Sequence, residues 1–310
     1  MIQFGIIGRN FSSTAAVQSA IKNVTVIGGG LMGSGIAQVA AQAGQNVTLV
    51  DVNNDVLTKA QKSITNNLGR VAKKIYKDNP QEGEKFVAGA LSKIKTNTDP
   101  VAAVKETDLV VEAIVENMKV KHDLFKKLDE AAPSHTIFAS NTSSLSINEI
   151  GSVVKRKDKF GGLHFFNPVP VMRLLEVIRG ADTSEETYSA MMQWGKNVGK
   201  TCVTCKDTPG FVVNRLLVPY IAEAIRLYER GDASARDIDI AMKLGAGYPM
   251  GPLELADYVG LDTNKFILDG WHAKYPNEPL FNPIPTLNKL VAEGKLGLKT
   301  GEGFYKYDKK

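Results

Sequence analysis

The chain has 310 residues, 43% hydrophobic and 23% charged, which allows one large or two moderate domains with a real core and excludes disordered, collagen-like and disulfide-stapled classes. Its 38 basic residues exceed 33 acidic ones by only 5, with no long block of Lys or Arg, so nucleic-acid binding is not indicated. Two cysteines make no disulfide framework, and no apolar run reaches the ~18 residues of a membrane span, which points to a soluble protein in a reducing compartment.

Residues 1–22 carry Arg9, Lys22, Ser12, Ser13, Thr14 and Ser19 but no acid, and the first carboxylate of the chain is Asp51. Such a segment reads as a mitochondrial targeting presequence, and Arg9-Asn10-Phe11-Ser12 fits an Arg-aromatic-Ser processing pattern. The apolar stretch Ile2 to Ile7 is short for a secretory signal, and Tyr307-Asp308-Lys309-Lys310 is not a peroxisomal address. From Asn23 onward, short β-branched runs alternate with helical stretches, the pattern of parallel strands joined by crossover helices. Strands are expected near 23–28, 46–51, 91–95, 107–112 and 135–140, with further edge strands within 159–165, 173–178 and 200–204. The Lys-rich segment between Asn53 and Leu91 exceeds what a crossover needs and is expected to project as a helical hairpin. After Asp207-Thr208-Pro209-Gly210, helical periodicity dominates, so an all-helical domain is expected over 207–310, completing its core against a second copy in a homodimer.

The run Asn23-Val24-Thr25-Val26-Ile27 leads into Gly28-x-Gly30-x-x-Gly33 and a helix, and a second strand ends in Asp51. Strand, glycines, helix and terminal acid together make a dinucleotide fingerprint, which defines residues 23–206 as an α/β domain with a Rossmann-type doubly wound sheet. Gly28, Gly29, Gly30, Leu31, Met32 and Gly33 would line the phosphates, which meet helix N-terminal amides. Asp51 accepts from ribose hydroxyls and repels a 2′-phosphate, so the expected cofactor is NAD. Glu116, just past a strand end, is better placed than Glu112 to touch it, and Lys121 follows one helical turn later.

Among four histidines, His122, His135 and His272 suit surface or packing roles. His164 ends the apolar strand Phe160-Gly161-Gly162-Leu163-His164, and the next strand carries Glu176 among Leu174, Leu175, Val177 and Ile178. A carboxylate on a buried strand needs a partner. A His-Glu dyad supplies the general base for alcohol oxidation, because the hydroxyl proton must leave as hydride departs from the same carbon. Polar segments at Ser140-Asn141-Thr142-Ser143-Ser144 and at Asn214 offer donors for a substrate oxygen. Cys202-Val203-Thr204-Cys205 lies in an extended run whose thiols face opposite ways, so neither a redox pair nor a metal site is expected.

These motifs, with His164-Phe165-Phe166-Asn167-Pro168, Asp207-Thr208-Pro209-Gly210-Phe211 and Gly297-Leu298-Lys299-Thr300-Gly301-Glu302-Gly303-Phe304-Tyr305, resemble the short-chain L-3-hydroxyacyl-CoA dehydrogenase family of mitochondrial β-oxidation over nearly everything after the N-terminal arm. The resemblance implies His164 as base, Glu176 as its orienting carboxylate, and Ser143 and Asn214 as substrate-positioning groups. It implies Asp51, Glu116, Lys121, Ser143, Asn167 and Lys299 around NAD, and CoA lying on the hairpin against Asn67, Lys74 and Ser143; at Asn67 the family commonly has Ser. It also implies an acyl-CoA thioester substrate, a homodimer and a mitochondrial matrix location. Three alternatives stay open in the sequence: a sugar-acid dehydrogenase of the same fold, a non-catalytic NAD-binding protein, and a bacterial-type 3-hydroxybutyryl-CoA dehydrogenase.

Overall fold

β-Branched and aromatic residues favour a pleated backbone, and the segments that carry them become β1 (Asn23–Ile27), β2 (Asn46–Val50), β3 (Ile94–Asn97), β4 (Leu109–Glu112), β5 (Ile137–Ser140), β6 (Phe160–Phe165), β7 (Leu174–Arg179) and β8 (Thr201–Lys206). In the computed structural model, which describes residues 21–308, these strands form one sheet in the order β3-β2-β1-β4-β5-β6-β7-β8. The expected presequence lies outside the described residues except for Ile21 and Lys22. Strands β1 to β6 run parallel, β7 returns antiparallel to β6, and β8 runs with β7. Several boundaries differ from expectation: β3 starts at Ile94 rather than near 91, because the preceding helix keeps Leu91 and ends on Ser92, β4 and β5 start at Leu109 and Ile137 rather than near 107 and 135, and β8 runs to Lys206 rather than 204.

The helices on the sheet are α1 (Leu31–Gln42), α2 (Asn54–Ile75), α3 (Pro80–Leu91), α4 (Pro100–Ala103), α5 (Met118–Ala131), α6 (Ile147–Gly151) and α7 (Glu185–Asn197). Alternation along the strands divides the core. Val24, Val26, Leu49, Val111, Leu163 and Val177 pack on one side with residues of α1, α2 and α7. Val110, Phe138, Phe160 and Ile178 pack on the other with Phe125 and Leu128 of α5. Trp194 of α7 donates its indole N–H to Gln45 at 2.9 Å, tying that helix to the turn before β2.

The expected hairpin is α2 and α3. Helix α2 is capped by Asn53, buries the stripe Leu57, Ala60, Ile64, Leu68 and Ala72, and spans about 33 Å at 1.5 Å per residue. Asn79 caps α3, whose first residue is Pro80.

Five helices follow: α8 (Val213–Glu229), α9 (Ala235–Gly245), α10 (Pro252–Val259), α11 (Leu261–Lys274) and α12 (Pro285–Ala292). They share a core that includes Ile221, Ile225, Leu253, Leu261, Leu268 and Trp271. Two buried carboxylates hold it together by taking backbone donors. Asp239 accepts from the amides of Leu253 (2.8 Å) and Glu254 (3.0 Å) at the start of α10, and Asp257 accepts from Phe304 (2.9 Å) and Tyr305 (3.0 Å) in the C-terminal segment.

The close seating of α1 on β1 depends on Gly33, where a Cβ would stand 1.8 Å from the Gly28 carbonyl oxygen. Gly33→Ala should therefore push the helix off the strand and cost about 1–3 kcal/mol, read as a lower midpoint in urea together with weakened NADH binding.

Candidate active site

The β6–β7 register sets His164 directly opposite Glu176. Residues opposite one another in an antiparallel pair share a face, with Cβ atoms about 5 Å apart. The His164 Nδ1 lies 2.7 Å from Glu176 Oε2, His164 is 5% exposed and Glu176 is fully buried. An ionised carboxylate only accepts hydrogen bonds, so Nδ1 is the donor of the pair, and in the neutral ring that tautomer leaves the lone pair on Nε2. The ring stands beside Phe166 at 4.6 Å and Phe211 at 5.4 Å between centroids.

The other Glu176 oxygen reaches the helical half. Oε1 accepts from the amides of Val213 (2.8 Å) and Val212 (3.2 Å), at the start of α8, where no side chain of the helix's own N-cap does so. Glu176 thus caps α8 from the sheet. The approach is made by Gly210 (φ 76°) and Phe211 (φ 53°), the one non-glycine residue with positive φ among the described residues. Such a conformation costs roughly 1–3 kcal/mol and persists where packing fixes it. Here the buried Phe211 ring belongs to the core on the second face of the sheet.

The mouth at the carboxyl ends of β1, β2 and β4 fits a dinucleotide. A Cβ on Gly28 would lie 2.4 Å from the Ala113 carbonyl oxygen, whereas one on Gly30 would meet nothing within 4 Å, so the second glycine faces open space. No side chain caps α1, which leaves its N-terminus to an anion. Asp51 accepts from the amides of Gly29 (2.8 Å) and Asn53 (3.2 Å) and so stands fixed at the end of β2. Leu31, Val52 and Val115, just past these strand ends, are 68%, 88% and 66% exposed, an apolar rim suited to flat rings.

A buried charge network stiffens the neighbouring loop. Lys121, 1% exposed, pairs with Glu112 at 2.6 Å and Glu116 at 3.2 Å, and Glu112 also accepts from Ser140 Oγ (2.6 Å) and the Ile114 amide (2.8 Å). Glu116 Oε1 accepts from the Thr142 hydroxyl, the amides of Ser143 (3.2 Å) and Ser144 (3.3 Å), and the Ser144 hydroxyl (3.0 Å). Burial pushes the Glu116 carboxyl up, but Lys121 and these hydroxyls outweigh it and hold the group below its ordinary value.

Of the expected site residues, His164 and Glu176 meet directly, and the Asn214 Nδ2 lies 3.5 Å from the Ser143 carbonyl oxygen, joining the two polar segments. Asn167 is exposed in the turn after β6. Asn67, half-buried, and Lys74, exposed, lie two turns apart on α2. Lys121 is not an open charge at the mouth, since both its partners are carboxylates. Lys299 pairs with Asp262 at 2.5 Å, within the helical half. His122 and His135 contact the Glu149 carbonyl (2.7 Å) and Asp108 (3.2 Å), and both cysteines are free on β8. Glu112, an acid in an apolar strand like Glu176, is fully buried, and Asn141 takes a role that no sequence signal singles out: its Oδ1 accepts from the Phe165 amide at 2.8 Å.

Nucleotide fingerprint, strand-end acid and histidine dyad define a nicotinamide-dependent dehydrogenase. Residues 23–208 match the family model "3-hydroxyacyl-CoA dehydrogenase, NAD binding domain" and residues 210–307 the model "3-hydroxyacyl-CoA dehydrogenase, C-terminal domain"; the chain belongs to this family. It is 62% identical to the protein named hydroxyacyl-coenzyme A dehydrogenase, mitochondrial, of Sus scrofa, over 96% of this chain and 95% of that one. The Homo sapiens protein of the same name is also 62% identical, over 96% and 94%. A crystal structure of (S)-3-hydroxybutyryl-CoA dehydrogenase from Ralstonia eutropha superposes with a TM-score of 0.88 at 42% identity, covering 94% of this chain and all of that one.

Lys121→Met leaves Glu112 buried without its cation and should cost about 3–5 kcal/mol near neutral pH. Because the Glu116 carboxyl lies below its ordinary value, its share of the network's stability is complete above the usual glutamate range and is lost as pH falls through the lowered value. The gap between parent and variant in urea unfolding should accordingly narrow in acid.

Proposed function

We propose that the protein oxidises L-3-hydroxyacyl-CoA thioesters to 3-oxoacyl-CoA with NAD, in fatty-acid β-oxidation in the mitochondrial matrix. The observation that carries this reading is the buried His164–Glu176 pair beside a dinucleotide mouth, in a chain of this family. Bound NAD supplies the acceptor for the hydride from carbon 3. His164 Nε2 takes the hydroxyl proton from the same carbon, and Glu176 keeps the ring in the accepting tautomer and faces the imidazolium that results. In the reverse direction the imidazolium returns its proton to the alkoxide oxygen. Ser143 and Asn214 hold the substrate oxygen.

Asp51 selects NAD through the ribose hydroxyls, and the amides from Gly28 to Gly33 receive the phosphates. Asn167 and Lys299 belong to the cofactor's surroundings, as does Glu116, through which Lys121 acts. Asn67 and Lys74 meet CoA on the hairpin. The names of the two relatives above support a mitochondrial location. A homodimer through the helical half is supported by exposed apolar side chains there, among them Leu244 (83%) and Tyr258 (66%).

The deciding assay follows NADH oxidation with acetoacetyl-CoA, free acetoacetate, and NADPH in place of NADH. Fast turnover of the thioester with NADH alone is expected. Turnover of free acids in preference to the thioester would favour a sugar-acid enzyme, and tight NADH binding without turnover a non-catalytic protein. His164→Gln should lower kcat by about 10²–10⁴ while NADH still binds, and near-normal turnover would remove it as the base. Asp51→Ser should narrow the preference for NADH over NADPH, and an unchanged ratio would reject Asp51 as selector.

A further inference from the structure

The turn from Pro168 to Met172 leaves the active site and lies against α1. The amides of Val171 and Met172 both bond the Pro168 carbonyl at 2.9 Å, closing the turn on itself. Gly35 lets it lie close to the helix, since a Cβ there would stand 2.7 Å from Val169 Cβ. On the other side waits Lys200, only 8% exposed, just ahead of β8. Its ammonium donates to the carbonyl of Val169 and to that of Met172 (2.8 Å), and sits 5.9 Å from the Phe165 ring centroid. Burial pulls its pKa down, with no neighbouring charge offsetting it.

A buried cation without a counter-ion is costly unless its protons are used. Here two are used on carbonyls that no helix or strand satisfies, and a compact ammonium on a long stem can reach both. What it fixes is informative. The segment Phe166-Asn167-Pro168 hangs between two anchors: the Asn141 side chain on the Phe165 amide at 2.8 Å, and Lys200 on the Val169 carbonyl. Within that segment Phe166 walls His164, and Asn167 is exposed just past the end of β6.

We propose that Lys200 is a positioning residue for the dehydrogenase reaction: its ammonium straps the 168–172 turn onto α1, and so sets where Phe166 and Asn167 stand against His164 and the nicotinamide end of NAD. The inference rests on the site reading given above for Asn167 and His164. It makes the nucleotide-binding helix and the catalytic strand share one loop whose position depends on a lysine outside the substrate's reach.

The test compares Lys200→Met and Lys200→Arg with the parent by NADH fluorescence titration, steady-state kinetics and thermal melting. Lys200→Met should raise the NADH Kd and KM about tenfold and leave the acetoacetyl-CoA KM within about twofold, while Lys200→Arg, which keeps charge and donors, restores most of the loss. A folded Lys200→Met protein with NADH binding within about twofold of the parent overturns the proposal, as does a rise of both KM values together or an Arg variant as impaired as Met. Should Lys200→Met fail to melt cooperatively, Gly35→Ala decides, because it keeps the ammonium and presses on Val169: the same split supports the strap and unchanged NADH binding overturns it. If the parent itself fails to turn over acetoacetyl-CoA, the functional reading falls, whereas the NADH titrations still judge the strap.

Discussion

The Glu176 carboxylate is the joint on which the molecule turns. One oxygen holds the His164 ring and the other holds the first amides of α8, so a single buried group belongs at once to the sheet, to the histidine and to the helical half. Its position follows from the antiparallel return of β7, the one change of strand direction in the sheet. A slip of one residue in that pairing would turn every side chain of β7 to the opposite face and part the dyad. The strained Phe211 is intelligible as the cost of bringing α8 to this carboxylate, and its burial in the sheet core is what holds it there.

A second buried group of charges repeats the principle at the neighbouring strand. Glu112 ends β4 much as Glu176 lies in β7, and through Lys121 and Glu116 it fixes the loop that carries Ser143. Buried ion pairs seldom add much net stability over apolar packing. Their use here is geometric, since Lys121 bridges two carboxylates and Glu116 gathers the donors of residues 142–144, which leaves the polar loop at the mouth few other ways to lie. Lys200 serves the third loop in the same manner, with carbonyls in place of carboxylates.

Much of this was legible in the chain. The glycine fingerprint, Asp51 and the hairpin are local features, readable because residues close in sequence are close in space. Glu176 was readable for a different reason, as a charge in an apolar strand is conspicuous wherever it pairs. Glu112 gives the same signal, yet its partner Lys121 sits on α5 beyond a loop, and only the folded chain brings the ammonium inward rather than to the mouth. The α8 amides leave no trace in side-chain identity at all. Asn141 reads as one polar residue among five, and nothing in the sequence pairs Lys299 with Asp262, until the fold brings each its partner.

The shared carboxylate also bears on how such a protein can change over generations. Two halves matched by separate family models look exchangeable, as if recombination near residue 209 could trade one helical half for another. Yet the amides that fix Glu176 come from the far side of that seam, together with Asn214. A chimera would inherit its histidine from one parent and the setting of that histidine from the other. Lineages are therefore constrained to keep the two halves evolving as a pair, with the first turn of α8 bound more tightly to the ancestry of β7 than to that of the helices it leads.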